Sequence, residues 1–156
     1  MSTPAIRPYR PLQDGLRAVG HVLDRTGRRL VSLLVVREGF IVTLNSPNIR
    51  QRDDAVVLTH DDTRTLWYDS VIQRGHASAP PIIDPFFPTG YEDFLRALGD
   101  AAARQQWTGL RLVRIGEEVI VRHGTQVGRK ELMLRARDIE AILNRAFQQR
   151  GHGPMS

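Results

Sequence analysis

Leu16-Arg17-Ala18-Val19-Gly20 returns further along the chain as Leu95-Arg96-Ala97-Leu98-Gly99, an offset of 95 − 16 = 79. At the same offset Arg25 falls on Arg104, Leu33 on Leu112, Glu38 on Glu117, and Ile41-Val42 on Ile120-Val121. A second block aligns at 149 − 73 = 76. There Leu58 falls on Leu134, Asp62 on Asp138, and Gln73-Arg74-Gly75 on Gln149-Arg150-Gly151. The offset changes inside a polar loop, where a gap is most easily accepted. These matches predict a tandem duplication of a unit of about 75 residues, packed as one body with a pseudo-two-fold axis.

Each copy reads as helix, three strands, helix. In the first, Leu12, Leu16, Val19 and Leu23 recur at helical spacing, which predicts a helix over 11–26 that Gly27 ends. Leu30 to Arg37 is a strand whose unbroken apolar run predicts burial on both faces. Glu38-Gly39 marks a two-residue turn, Phe40 to Leu44 the return strand, and Ala55 to Thr59 a third strand. Asp61 or Asp62 is placed to cap a helix that runs to about Arg74 and stops at Gly75. In the second copy a helix is expected over 91–106 and strands over 108–115, 119–123 and 130–135. A last helix follows over 136–150. The organisation is therefore 1–75 first αβββα repeat, 76–88 proline-rich strap, 89–151 second repeat and 152–156 loose tail. The strap carries Pro80, Pro81 and Pro85, which exclude helix and central strand, beside the apolar Ile82, Ile83, Phe86 and Phe87. The fold class is α+β with antiparallel meanders, as one joint sheet of six strands or as two facing sheets.

Composition narrows the chemistry. The 156 residues are 41% hydrophobic and 25% charged, enough apolar material for a core. A single repeat of this size buries too little surface to be robust, so the copies are expected to pack on each other. Without cysteine there is no disulfide, no thiolate nucleophile and no cysteine-held metal. No apolar run is long enough to span a bilayer, and the first ten residues lack a signal-peptide core, so a soluble, cytoplasmic protein is expected. The net charge of +5 is compatible with an anionic partner. However, Lys130 is the only lysine and the arginines are spread along the whole chain, the pattern of a coding bias.

No catalytic set stands out. The five histidines, His21, His60, His76, His123 and His152, have no metal-ligand spacing, and phosphate loops and a nucleophile elbow are absent. No catalytic residue, metal or cofactor is assigned. His60 beside Asp61 and Asp62 is read as a strand end followed by a helix cap. Asp53-Asp54 and Asp61-Asp62 flank one strand at about 3.3 Å per residue, too far apart for a two-carboxylate site. Gly20 and Gly99, each in mid-helix where glycine costs about 1 kcal/mol relative to alanine, are assigned to packing between the repeats.

Three strands between two helices also open the core of many metal-dependent nucleases, but Lys130 precedes Glu131 rather than following an acid by two. In element order the chain resembles the double-stranded-RNA-binding domain, whose basic last helix meets the duplex backbone. Where that family carries its basic cluster, the first copy has Thr59-His60-Asp61-Asp62. The second copy offers Arg122, Arg129, Lys130, Arg135 and Arg137 as candidate nucleic-acid contacts.

The strands supply the last clue. Ile41, Val57, Ile120 and Met133 fall on the face turned away from the helices, so something is expected to cover them. The function expected is a non-enzymatic interaction or regulatory module, with a protein partner or a second copy of itself. Nucleic-acid binding, and a ligand or reaction in a cleft between the repeats, are the alternatives.

Overall fold

The fold was analysed in a computed structural model that describes residues 8–26, 28–46, 52–71, 87 and 90–149. Most of the strap 76–88, the tail 152–156, Gly27 and Gly75 lie outside the described residues. The protein is α+β, with four helices and one six-stranded antiparallel sheet. The elements run α1 (Gln13–Thr26), β1 (Leu30–Val36), β2 (Gly39–Leu44), β3 (Asp54–Thr59), α2 (His60–Leu66), α3 (Tyr91–Arg104), β4 (Gly109–Ile115), β5 (Glu118–Thr125), β6 (Gly128–Leu134) and α4 (Ala136–Gln149). The strand order is β3-β2-β1-β4-β5-β6. The two meanders therefore join edge to edge into a single sheet. The joint is the β1–β4 pair, where Leu33 lies opposite Leu112.

Alternation along the strands sets the core. Leu33, Phe40, Val42, Leu112, Val119 and Val121 all turn to one face and are buried with Leu16, Val19, Leu95, Leu98 and Ile139 of the helices. Burying a side chain of this size contributes roughly 1.5–3 kcal/mol, so α1, α3 and α4 are drawn to that face. The short α2 packs on α1, with Trp67, in the π-helical turn Trp67–Val71 that continues it, against Ala18. Phe87 is buried against Tyr91 and Phe94, with ring centroids 4.8 and 5.1 Å away.

Three local expectations are corrected. The cap of α2 is Thr59, not Asp61 or Asp62. Its side chain accepts from the Asp62 amide while the Asp62 carboxylate accepts from the Thr59 amide, a capping box. The first hairpin turns on Arg37-Glu38, one residue earlier than expected, because Gly39 already pairs with Val36. Gly39 has φ +152°, and a Cβ there would run into the Leu58 carbonyl. In the second half the glycine does sit in the turn, since Gly116-Glu117 joins Ile115 to Glu118. Finally, β1 is not buried on both faces: Leu30 and Leu33 are, while Leu34 on the opposite face is exposed.

That opposite face is bare among the described residues. The register sets Val57, Ile41, Leu34, Arg111, Arg122 and Glu131 in one row across the sheet. Ala55, Thr43, Ser32, Val113, Ile120 and Met133 form the next. Leu34, Val57, Ile115 and Met133 keep 37, 60, 59 and 56% of their surface exposed. No described helix is long and apolar enough to cross a membrane.

Candidate functional site

The α1–α3 crossing holds the densest polar cluster. A Cβ on Gly20 would meet the Glu92 backbone at 2.5 Å, and one on Gly99 would meet Gln13 Cα at 3.1 Å. Both glycines therefore lie where the two helices cross antiparallel, each against the first turn of the other. Glu92 is buried there. His21 Nδ1 lies 2.9 Å from Glu92 Oε1, and Arg17 Nε donates to Glu92 Oε2 at 3.2 Å. One turn on, the Asp24 carboxylate accepts from the amides of Tyr91 (2.6 Å) and Glu92 (3.1 Å), which caps α3 from outside. Burial pushes the Asp24 carboxyl up from its ordinary value, against the pull of those two amides. The Tyr91 hydroxyl, also raised by burial, accepts the Leu30 amide at 3.0 Å. Of the fully buried side-chain nitrogens and oxygens in this cluster, His21 Nε2 alone lacks a hydrogen-bond partner among the described residues. The crossing is a packed joint, with no space beside the glycines for a ligand.

The five basic candidates divide between two places. Arg122, Arg129 and Lys130 stand with Arg111 around a shallow depression of about 620 Å³ on the bare sheet face, at one end of β5 and β6. Arg135 and Arg137 lie at the other end of β6, about 17 Å away at the rise of a strand. Two of the five are held by neighbouring acids: Arg122 Nε donates to Glu131 at 2.9 Å and Arg135 Nε to Glu118 at 3.3 Å. His60 Nε2 lies 3.1 Å from the Arg37 carbonyl oxygen, Asp61 pairs with Arg64, and Asp62 completes the cap. No group of three or more His, Asp or Glu among the described residues is placed to hold a metal ion.

A groove of about 680 Å³ lies in the second half, between the end of α3, β5, β6 and α4. Its apolar wall includes Leu98, Leu132 and Ile142. Trp107 stacks flat on His123, with centroids 3.8 Å apart and planes 13° apart. His123 is buried, and its Nδ1 has no hydrogen-bond partner among the described residues, an arrangement that costs roughly 1–3 kcal/mol. The exposed Arg104, Lys130 and Arg145 stand around it.

The same corner of the first half is built differently. By strand register Leu44 faces Asp54 as His123 faces Lys130, and Arg28 precedes β1 by two residues as Trp107 precedes β4. There Arg28 bonds the Asn45 carbonyl through Nε (2.8 Å) and its terminal amine (2.5 Å), and reaches Asp54 Oδ2 at 2.8 Å.

Sequence reading missed Trp107, Arg104 and Arg145 as a group. The available signal was His123, a polar residue in the inward phase of Val119 and Val121. No protein-family model, no curated protein and no solved structure matches this chain.

Proposed function

We propose that this chain is a non-enzymatic interaction module that docks, through the bare face of its sheet, on a second copy of itself. One observation carries this reading: a six-stranded sheet has all its described helices on one side and Leu34, Val57, Ile115 and Met133 exposed on the other. Six strands about 4.8 Å apart and about 20 Å long present several hundred Å². That matches the largest patches on soluble monomers, which are often functional, and approaches one side of a standard interface. Sheets pack face to face with their strands nearly aligned. In a two-fold pairing about an axis parallel to the strands, the Arg111–Arg122 side of one copy lies over the Leu34–Ile41 side of the other. The arginines then avoid each other and lay their aliphatic stems on apolar surface.

Light scattering on the eluted protein tests it. A mass near 35 kDa, twice 17.6 kDa, is expected, falling to one chain's mass in Leu34→Glu and in Val57→Glu. A wild-type protein that stays monomeric at high micromolar concentration overturns the reading, as does a dimer untouched by both variants.

The duplication belongs to the same reading. It is supported by the two glycine contacts, Gly20 on Glu92 and Gly99 on Gln13, whose members differ by the same 79 positions (99 − 20 and 92 − 13). The pairing of Leu33 with Leu112, again 79 apart, supports a pseudo-two-fold relation about the sheet joint. The repeats then keep a scaffold and share one docking face between them.

Nucleic-acid binding is the second reading, favoured by Arg111, Arg122, Arg129 and Lys130 meeting around one depression. It requires binding that weakens steeply with salt. Absence of binding to duplex or single strands at low salt ends it.

A further inference from the structure

The groove of the second half lies against α3 and α4 and shares only His123 and Lys130 with the depression on the sheet face, and its chemistry is different. It combines an apolar wall, a flat aromatic stack and a cationic rim. Arg104, Lys130 and Arg145 have no acidic partner among the described residues, and Asp100 is the one acid on the lining. Three cations facing one carboxylate leave the site with excess positive charge. A concavity of about 680 Å³ falls in the range of small-molecule sites. His123, more than nine-tenths buried and short of a partner at Nδ1, lies on the lining under Trp107.

We propose that this groove binds a small organic anion: a carboxylate or phosphate ester carried on an apolar body. The apolar body lies along Leu98, Leu132 and Ile142, and the anionic head meets Lys130, Arg104 and Arg145. Trp107 and His123 form the floor between the two. The first half matches its charge internally. Its corresponding corner holds Arg28 clamped on Asn45 and Asp54, so the cation there is already matched by an internal anion. In the second half an aromatic replaces that arginine, and Lys130 stands where the first half has the acid. The anion has to come from outside.

Decanoate, decyl phosphate, decanol and inorganic phosphate are the probes, followed by calorimetry and by Trp107 emission in the full chain, with Trp107→Phe as the blank. Decanoate and decyl phosphate are expected to bind with micromolar affinity and to shift the Trp107 emission. Decanol and inorganic phosphate should each bind at least tenfold more weakly, since each supplies half of the recognition. Lys130→Gln combined with Arg145→Gln should weaken decanoate at least tenfold without lowering the melting temperature, because both residues are exposed. Phosphatidylglycerol vesicles form a further arm: competition with decanoate assigns a lipid source, and failure to compete assigns a free acid. Equal binding of decanol and decanoate overturns the proposal. So does equal binding of inorganic and decyl phosphate, or no binding by any probe at millimolar concentration.

Discussion

The two halves place different chemistry on nearly the same frame. Each lays one long helix across the other at a glycine, and each folds three strands into half of the sheet. At the end of each long helix they part. The first half spends Arg28 on an internal clamp to Asn45 and Asp54. The second opens the same corner into a groove with Trp107, His123 and Lys130. The edges differ as well. The outer strand of the first half, β3, has no charge after Asp54, running Ala55-Val56-Val57-Leu58, while β6 carries Arg129-Lys130-Glu131. The exposed apolar surface therefore belongs more to the first half, and the charged surface to the second.

The glycines give the largest expected effects, and they should break the symmetry between the halves. At Gly20 a Cβ would meet Glu92 Cα at 2.5 Å and Glu92 N at 2.7 Å, backbone that cannot step aside without moving α3. Alanine returns about 1 kcal/mol in helix propensity, but overpacking against a fixed backbone costs more. Gly20→Ala should therefore destabilise by about 3 kcal/mol or fail to fold. At Gly99 the nearest atom is 3.1 Å away, so a shift of a few tenths of an ångström suffices. Gly99→Ala should stay within about 1 kcal/mol of the parent, because the propensity gain offsets the crowding. Urea unfolding of both variants reads the difference. Equal losses would mean that the helix crossing is symmetric after all.

A transplant sharpens the comparison at the open corner. Trp107→Arg, His123→Leu and Lys130→Asp together rebuild the Arg28–Leu44–Asp54 arrangement in the second half. Stability should move by only about 1 kcal/mol, since a partly exposed ion pair contributes little and the orphaned His123 nitrogen is removed. Decanoate binding should disappear. A transplanted protein that still binds decanoate would locate the site elsewhere.

Much of the frame was legible in the sequence because it rests on periodicity. Leu16, Val19 and Leu23 specify a helix, and Phe40, Val42 and Leu44 specify an inward strand face, whatever surrounds them. The joining of the two meanders was not legible. It rests on the β1–β4 register, and nothing local to Leu33 or Leu112 distinguishes a partner strand from a covering sheet. The groove was harder still. Its members come from α3, β5, β6 and α4, and Arg104 or Arg145 alone reads as an ordinary solvated helix residue. The cap of α2 was misplaced by a small margin: Asp62 does take part, but as the third residue of the box, with Thr59 as its partner.

The smallest expected effect tests how the joint between the halves responds to pH. Asp24 of the first half caps the first helix of the second, and burial raises its carboxyl above the ordinary 3.8 while the Tyr91 and Glu92 amides pull the other way. A carboxyl raised in the folded state binds its proton more tightly there than in the unfolded chain. Its contribution to stability is therefore fully present below its unfolded value and is lost as pH rises through its folded one. Asn at this position keeps an oxygen for the α3 amides but cannot titrate. Melting temperatures of the parent and Asp24→Asn, followed upward from about pH 3.5, should diverge, with the parent losing ground as pH rises through the folded Asp24 titration. The difference between the two proteins isolates Asp24 together with its coulombic coupling to Glu92 and Asp93. A flat difference would show that the two amides balance burial, and one that favours the parent as pH rises would show that they outweigh it and that the cap is held by its charge.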